Sequence, residues 1–240
     1  MRAYSIYETG CVRKNNEDSF ALLPERGLFA VADGMGGHNA GEVASKIAIE
    51  RLVNCASQLD TIVVGDMENW MRKAIEEANE EVVEESLRNL ATKGMGTTLT
   101  AILITKNKVV VGHVGDSRIY LWRENMLSQI SEDHSMVNEL LRLGQISEEG
   151  AKNHPHKHVL SRALGVEKVV KIDCFQLEVQ AGDVFVLCTD GFSNVINDDE
   201  MIDEFSQPRS WDIHLEKLKK SVLERGAPDN FTVVCCEMER

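Results

Sequence analysis

The sequence predicts an α+β fold in which stacked antiparallel sheets are flanked by helices. Two observations predict it. Many short β-branched and apolar segments are separated by turn residues, and a few longer segments repeat apolar residues every three or four positions. Strands joined by short turns pair antiparallel, and amphipathic helices bury one face against the sheets. Of the 240 residues, 43% are hydrophobic, which is ample for a buried core.

The predicted strands are short and rich in valine, isoleucine and aromatic residues. They cover residues 4–7, 19–22, 28–32, 98–104, 108–113, 118–122, 170–176, 183–188 and 231–236. The polar stretch at 105–108 is typical of a hairpin connection between two of them.

The predicted helices cover residues 41–56, 66–90, 136–143 and 211–225. In the second helix, apolar residues such as Trp70, Met71 and Ala74 recur at helical spacing and form one buried stripe. The Glu and Lys residues between them form its solvated side.

The chain contains no internal repeat, low-complexity tract or linker-like segment, so we expect a single domain over residues 1–240. The segment 144–158 differs from its surroundings because it is polar and follows a predicted helix. We interpret it as a surface excursion that forms a flap.

The net charge of −13 argues against nucleic acid or an anionic membrane as the main partner, since both need clustered Lys and Arg. The acidic excess has two interpretations, a self-repelling soluble surface or carboxylates that converge on cations.

The six cysteines form no C-x-x-C pair, which is typical of free thiols in a reducing compartment. No signal core and no apolar run of roughly 20 residues is present. We therefore expect a cytoplasmic protein without membrane insertion.

Acidic residues stand at the ends of several predicted strands. They are Asp33, Asp116, Asp190 and Asp229, together with the pair Glu17 and Asp18. Each alone is typical of a turn, since Asp-Gly is a common turn dipeptide. Strand ends at one edge of a sheet meet in space, however, and carboxylates about 4–6 Å apart repel one another. Either they are protonated or a cation neutralises them, and such ligands favour Mg²⁺ or Mn²⁺.

Other residues near these acids fit chemistry at phosphorus. Gly34, Gly36 and Gly37 let the backbone pass close to an ion, and a carbonyl of this stretch is a candidate ligand. Arg13, four residues before Glu17, is our candidate for a bidentate phosphate contact, although an ordinary surface arginine would look the same. Two metal ions about 3.5–4 Å apart are a standard device for displacement at phosphorus.

Eight short motifs follow one another in the order in which a known family carries them. They are RKNNEDS at 13–19, DGMGGH at 33–38, GMGTT at 94–98, VGDSRIY at 114–120, DHS at 133–135, LSRALG at 160–165, LCTDG at 187–191 and DNFTVV at 229–234. The chain thereby resembles the metal-dependent Ser/Thr protein phosphatases, the PPM or type 2C family, and in particular their compact bacterial members. The resemblance implies an α-β-β-α sandwich, and a flap that influences substrate choice.

The resemblance also implies a two-metal site. Asp33 would bridge the two ions, and Asp190 and Asp229 would complete the ligand shell of the first. The carbonyl of Gly34 would serve the second ion.

Further roles follow from the same resemblance. Glu17 and Asp18 would lie near the second ion and act directly or through water. Asp116 would hold a third, weaker ion together with Asp190. Arg13 would bind the phosphate of the substrate.

One position departs from the eukaryotic pattern of the family. There a histidine directly follows the Asp-Gly and is proposed to protonate the leaving oxygen, whereas this sequence has Met35, which cannot donate a proton. His38, three residues on, is a candidate general acid, and a metal-bound water is another. His38 could equally cap the following helix or stabilise the glycine loop.

The function that the resemblance implies is a Mn²⁺- or Mg²⁺-dependent phosphatase for phosphoserine and phosphothreonine in proteins. A hydroxide that bridges the metals would attack the phosphorus directly. We expect phosphorylated proteins as substrates, a cytosolic or membrane-anchored Ser/Thr kinase as the opposing enzyme, and a monomer.

Two alternatives belong to other classes. A catalytically silent pseudophosphatase would bind phosphoproteins without turnover, and it is disfavoured because every acidic position of the pattern is filled. Another metal-dependent phosphoester hydrolase, such as a nuclease or nucleotide hydrolase, is disfavoured by the acidic balance and the lack of basic stripes.

Overall fold

Eleven strands and seven α-helices are found in the part of the chain that this computed structural model describes, residues 1–36, 40–57, 59, 66–105, 107–152 and 154–239. The strands are β1 (Arg2–Glu8), β2 (Asp18–Leu23), β3 (Leu28–Met35), β4 (Gly96–Thr97), β5 (Leu99–Ile104), β6 (Lys108–Val114), β7 (Arg118–Arg123), β8 (Met126–Gln129), β9 (Asp173–Glu178), β10 (Val184–Cys188) and β11 (Phe231–Glu237). The helices are α1 (Gly41–Ser57), α2 (Met67–Arg88), α3 (Met136–Arg142), α4 (Glu148–Lys152), α5 (Asp190–Ser193), α6 (Asp198–Phe205) and α7 (Trp211–Glu224).

Two sheets form the centre of the molecule. The first has the strand order β2-β3-β5-β6-β9, with β4 paired to β3, and the second has the order β1-β11-β10-β7-β8. Every strand pair of the described chain is antiparallel. The chain passes from one sheet to the other several times, so neither sheet is a separate domain.

Helices α1 and α2 cover the outer face of the first sheet, and α6 and α7 cover the outer face of the second. Strand β3 explains why a strand in this arrangement is apolar throughout. Leu28, Ala30 and Ala32 pack against the helices, while Phe29 and Val31 pack between the two sheets. Both faces of the strand are therefore buried, and the predicted sandwich of two sheets flanked by helices is confirmed.

Several short elements were not predicted. Strand β8 follows β7 across a two-residue turn, Glu124 and Asn125, whose φ angles of 52° and 61° belong to the left-handed region. Helix α6 begins with a capping box in which Asn197 accepts from the amide of Glu200, whose side chain accepts from the amide of Asn197. Both turn signals are legible in the sequence, but the elements they start are short and partly exposed.

One predicted strand is displaced, because the segment predicted at 170–176 forms β9 over Asp173–Glu178. The described residues of the segment 144–158 contain α4 and are mostly exposed. None of the described helices is both long and apolar enough to cross a bilayer.

Candidate metal centre

Five aspartates come from strand ends that meet at one end of the two sheets. Asp18 opens β2 and stands directly opposite Asp33 on the antiparallel neighbour β3. Asp190 follows β10, and Asp229 precedes β11, the antiparallel neighbour of β10. Asp116 lies in the connection from β6 of the first sheet to β7 of the second. Because antiparallel neighbours run in opposite directions, the end of one strand lies beside the start of the next.

The backbone of Asp33 is fixed on both sides. Its amide donates to Thr98 Oγ1 over 2.8 Å, and its carbonyl accepts from Thr97 Oγ1 and from the amide of Thr98, each over 2.9 Å. Thr97 is the last residue of β4, which pairs with the end of β3, and Thr98 follows it directly. Three hydrogen bonds from Thr97 and Thr98 therefore fix the main chain of Asp33, from which its carboxylate extends.

Gly34 lies where three segments of backbone crowd together. Its amide donates to the carbonyl of Glu17 over 3.1 Å. A Cβ atom added at Gly34 would lie 2.1 Å from the carbonyl oxygen of Gly41 and 2.5 Å from that of Glu17. Only glycine fits here, and its absent side chain lets the start of α1 approach the end of β3.

Asp18 is the most deeply buried member of the centre, with 2% of its surface exposed. Its Oδ2 accepts from Thr189 Oγ1 over 2.8 Å and from Thr232 Oγ1 over 2.7 Å. Its Oδ1 has no hydrogen-bond partner in the described structure. Burial raises the pKa of Asp18 to about 7, against the two threonine bonds, which lower it. One oxygen is thus anchored and the other is left free as an acceptor.

Asp33, Asp116 and Asp190 shift one another's titration. Burial, followed by the charges of Asp18, Asp190 and Asp116, raises the pKa of Asp33 well above its ordinary value, and Asp33 and Asp190 lie within hydrogen-bond reach of each other. Burial and the charge of Asp190 raise the pKa of Asp116 to about 7. Burial also raises the pKa of Asp190. Carboxylates placed this closely require shared protons or a cation.

The outer side of the centre carries the candidate phosphate ligand. Arg13 Nη2 donates to Asp229 Oδ2 over 2.8 Å, and the two side chains are 52% and 37% exposed. This bond raises the pKa of Arg13. Burial raises the pKa of Glu17, and the smaller opposing effect of the Arg13 charge does not cancel this rise. Exposure therefore increases from Asp18 at the bottom of the centre to Arg13 at its rim.

Asn230, which has no predicted role, organises this rim. Its Oδ1 accepts from the amide of Glu17 over 2.8 Å, and its Nδ2 donates to the carbonyls of Thr9 and Asn15 over 2.8 and 2.9 Å. One buried amide side chain thereby holds the loop that carries Arg13 against the start of β11. The only signal in the sequence is its place directly after Asp229 and before a strand.

The donor set fits a hard divalent cation. It consists of carboxylate oxygens and backbone carbonyls, which Mg²⁺ and Mn²⁺ favour, and the free Oδ1 of Asp18 is a buried acceptor that lacks a donor. Among the described residues, no three or more His, Cys, Asp or Glu side chains are arranged so that they could hold a metal ion by themselves. Mg²⁺ is usually held by one or two carboxylates and keeps several waters, so a complete set of protein ligands is not required.

Of the two residues considered as proton donors in the motif at 33–38, the structure describes Met35 but not His38. Met35 ends β3, where it pairs with Gly96, and offers no proton donor. His38 lies outside the described residues, so its predicted role as general acid stays a prediction.

A cleft of about 440 Å³ leads away from the centre. Asp116 and Asp190 line its inner end, while Ser135, Lys157 and His158 line the end formed by α3 and the segment 144–158. The cleft is large enough for several residues of an extended peptide. It connects the acidic centre to the predicted flap.

A sandwich of two antiparallel sheets with a carboxylate centre at one end defines the class of the metal-dependent phosphatases. The chain belongs to the protein phosphatase 2C family, whose sequence profile matches residues 12–226. A serine/threonine phosphatase named stp from Listeria welshimeri is 40% identical over 241 residues, which cover 99% of this chain and 96% of that protein. The predicted family is therefore confirmed.

Solved structures agree with this membership. The crystal structure of the Mycobacterium tuberculosis serine/threonine phosphatase PstP/Ppp superposes with a TM-score of 0.91 at 36% identity, over 100% of this chain and 99% of that one. The catalytic domain of the phosphatase PstP in complex with two manganese ions gives a TM-score of 0.87 at 35% identity, over 99% and 98% of the two chains. Fold and enzyme class are both as predicted.

Proposed function

We propose that this protein is a Mn²⁺- or Mg²⁺-dependent phosphatase that removes phosphate from phosphoserine and phosphothreonine in other proteins. The single observation that carries the proposal is the half-satisfied carboxylate of Asp18 at the bottom of five converging aspartates. Such a group of buried acids requires bound cations or shared protons at neutral pH. A cleft that leaves from the centre supplies room for a peptide.

The metal ions have defined candidate ligands in this chain. Asp33, the carbonyl of Gly34, Asp190 and Asp229 would hold two of them, with Glu17 and Asp18 acting directly or through water. Asp116 would hold a third ion together with Asp190. Bound ions supply positive charge for the phosphoryl oxygens and lower the pKa of a water for attack on phosphorus.

Arg13 binds and orients the phosphate in this proposal. It lies at the exposed rim, beside Asp229, on the loop that Asn230 holds in place. A guanidinium can give two parallel N–H donors to one phosphate, which fixes the orientation of the group as well as its position.

The serines and threonines near the centre do not act as nucleophiles in this proposal. Ser117 is buried, and its hydroxyl contacts the hydroxyl of Thr98 over 2.8 Å. Thr98 in turn accepts from the amide of Asp33, so these side chains support the end of β3. A reaction without a protein nucleophile forms no phosphoenzyme. The proton for the leaving serine or threonine oxygen is assigned to His38 as a prediction.

In the cell we propose a monomeric cytoplasmic enzyme that reverses the work of a Ser/Thr kinase. The acidic surface supports this setting, because it repels nucleic acid and anionic membrane.

The test is hydrolysis of a phosphothreonine peptide with Mn²⁺. We expect EDTA to abolish activity and Asp190→Asn to lower kcat more than about 100-fold, since a ligand of the ions that would stabilise the developing charge is lost. Asp203→Asn, the same change on the exposed helix α6, is the matched control and should retain activity.

The alternatives give other results in the same assay. Mn²⁺ binding in calorimetry without any turnover indicates a pseudophosphatase. Faster hydrolysis of nucleotides than of phosphopeptides indicates another phosphoester hydrolase. Activity that persists in EDTA or in the Asp190→Asn variant contradicts the proposal.

A further inference from the structure

Gly115, directly before the candidate metal ligand Asp116, is held by one histidine through two hydrogen bonds. The amide of His134 donates to the carbonyl of Gly115 over 2.8 Å, and the amide of Gly115 donates to His134 Nδ1 over 3.1 Å. Gly115 has a φ of 116°, and an added Cβ would lie 2.4 Å from the side chain of Thr98. The peptide before Asp116 is therefore fixed in a conformation that only glycine adopts readily.

The contact with Gly115 sets the tautomer of His134. Because the Gly115 amide is a donor, Nδ1 must accept and carries no proton. The proton then lies on Nε2, 3.0 Å from Asp173 Oδ2, to which it donates. Arg162 Nη1 also lies 3.0 Å from Nε2, but both atoms are donors in this tautomer, so it makes no hydrogen bond to the ring. It donates instead to the other oxygen of Asp173 over 2.8 Å and so orients this carboxylate. His134 is 4% exposed, so water does not compete for the contact between its ring and Gly115, whereas Asp173 is 31% exposed.

The same histidine lies beside the base of the flap. The amide of Ser161 donates to the carbonyl of His134 over 2.9 Å, and the amide of Met136 donates to the carbonyl of Val159 over 2.8 Å. Ser135 and Leu160 form a β-bridge between these bonds. The residues that follow the segment 144–158 are thus tied to the loop segment of His134 and Ser135.

We propose that His134, in the tautomer set by the amide of Gly115 and by Asp173, is a positioning residue that aims Asp116 into the third metal site of this enzyme. The proposal rests on the proposed function, in which Asp116 and Asp190 hold a third, weaker ion. His134 touches neither substrate nor metal. It acts through the peptide of Gly115, and it transmits the position of the flap base to Asp116.

The first test is Mn²⁺ titration by calorimetry with two variants of one position. In His134→Asn, the side-chain oxygen occupies the place of Nδ1 and can still accept from the amide of Gly115. His134→Leu has a similar volume but no acceptor. We expect His134→Leu to weaken the weakest Mn²⁺ site about 10-fold or more, as is typical when a group that orients a ligand is removed. His134→Asn should stay within about 3-fold of the wild type, and the tighter sites should be unchanged in both.

A double variant separates positioning from general loss of structure. Asp116→Asn alone should weaken the same site, and His134→Leu should add nothing to it, because its effect passes through Asp116. Additive losses, or equal losses in His134→Asn and His134→Leu, overturn the proposal. Should His134→Leu fail to fold, Asp173→Asn takes its place in the double variant with Asp116→Asn, because it removes the acceptor that holds the proton on Nε2.

A second readout needs no metal. The ¹⁵N shifts of the His134 ring should show a proton on Nε2 in the wild type. Asp173→Asn should populate the other tautomer, because an amide can present a donor to Nε2. A proton on Nδ1 in the wild type overturns the proposal. If the wild-type protein shows the expected tautomer and Mn²⁺ titration but has no phosphatase turnover, the proposed function is refuted instead.

Discussion

Arg13 and Asp229 hold each other at the rim of the centre, and both are partly exposed. An ion pair of this kind contributes at most about 1 kcal/mol to folding. The arrangement therefore serves position more than stability, since it places a guanidinium where the phosphate of a substrate would arrive.

Replacement of Arg13 by alanine should lower kcat/KM for phosphopeptides and for small aryl phosphates alike, by about 10- to 100-fold, because both substrates present the same phosphate. The kcat/KM of Arg13→Lys should lie between those of the wild type and Arg13→Ala, since lysine keeps the charge but cannot give two parallel N–H donors. The melting temperature should change by less than about 2 °C, as for the matched exposed ion-pair variant Arg88→Ala, which should retain full activity. An unchanged kcat/KM in Arg13→Ala would remove this residue from phosphate binding.

The acids of the centre could be predicted from the sequence because carboxylates at the ends of apolar runs are visible without a fold. Their neutral partners could not. Thr189 and Thr232 donate to Asp18 across 171 and 214 positions of sequence, and a threonine in a strand gives no sign of such a partner. The role of Asn230 could not be predicted either, since its three hydrogen bonds to the rim loop exist only when β11 lies beside that loop.

At the scale of elements, the long strands and helices follow from their patterns, since their apolar residues face defined layers. Strand β3 was predicted because its whole run is buried on both faces. The short elements β8 and α6 were missed because each buries few residues, so that local turn chemistry outweighs hydrophobic periodicity.

The close approach of α1 to the end of β3 leads to a prediction for Gly34→Ala. The new Cβ would lie 2.1 Å from the carbonyl oxygen of Gly41, so either the helix or the strand end must move. We expect a loss of about 1–3 kcal/mol in the free energy of unfolding, together with weaker Mn²⁺ binding, because the carbonyl of Gly34 moves as well.

The matched control is Gly150→Ala in α4, where the nearest atom to a new Cβ would be Ser147 Oγ at 3.4 Å. It should leave the free energy of unfolding and Mn²⁺ binding nearly unchanged. Urea unfolding and calorimetry of both variants check the prediction, which fails if Gly34→Ala behaves like its control.

At the scale of the whole molecule, the acidic centre works against folding until cations arrive. Without metal, the pKa values of Asp18 and Asp116 rise to about 7 in the folded state. A carboxyl whose folded pKa is raised gives a stabilising contribution that is complete below its unfolded pKa and is lost as the pH rises through about 7. Mn²⁺ competes with protons for the same oxygens, so its stabilising effect should increase over that range.

We expect the rise in melting temperature on adding Mn²⁺ to be larger at pH 8 than at pH 5.5. Each carboxyl with a pKa of about 7 should account for about 2 kcal/mol of the difference in binding free energy. Thermal unfolding with EDTA or with MnCl₂ at the two pH values measures it, and Asp116→Asn should reduce it. An equal rise at both pH values would contradict a metal site built on these residues.

The pairing of β1 with β11 has a consequence for the order of events during synthesis. Strand β11 lies between β1 and β10 in its sheet, and Asp229 and Asn230 directly precede it. Among the described strands β1 pairs only with β11, so it lacks a partner strand until β11 has left the ribosome. The loop that carries Arg13 lacks its three hydrogen bonds to Asn230 until then. Contacts of such long range form late and limit the rate of folding. Nascent chains that end before β11 can therefore remove no phosphate, so activity appears only after nearly all of the described fold has been translated.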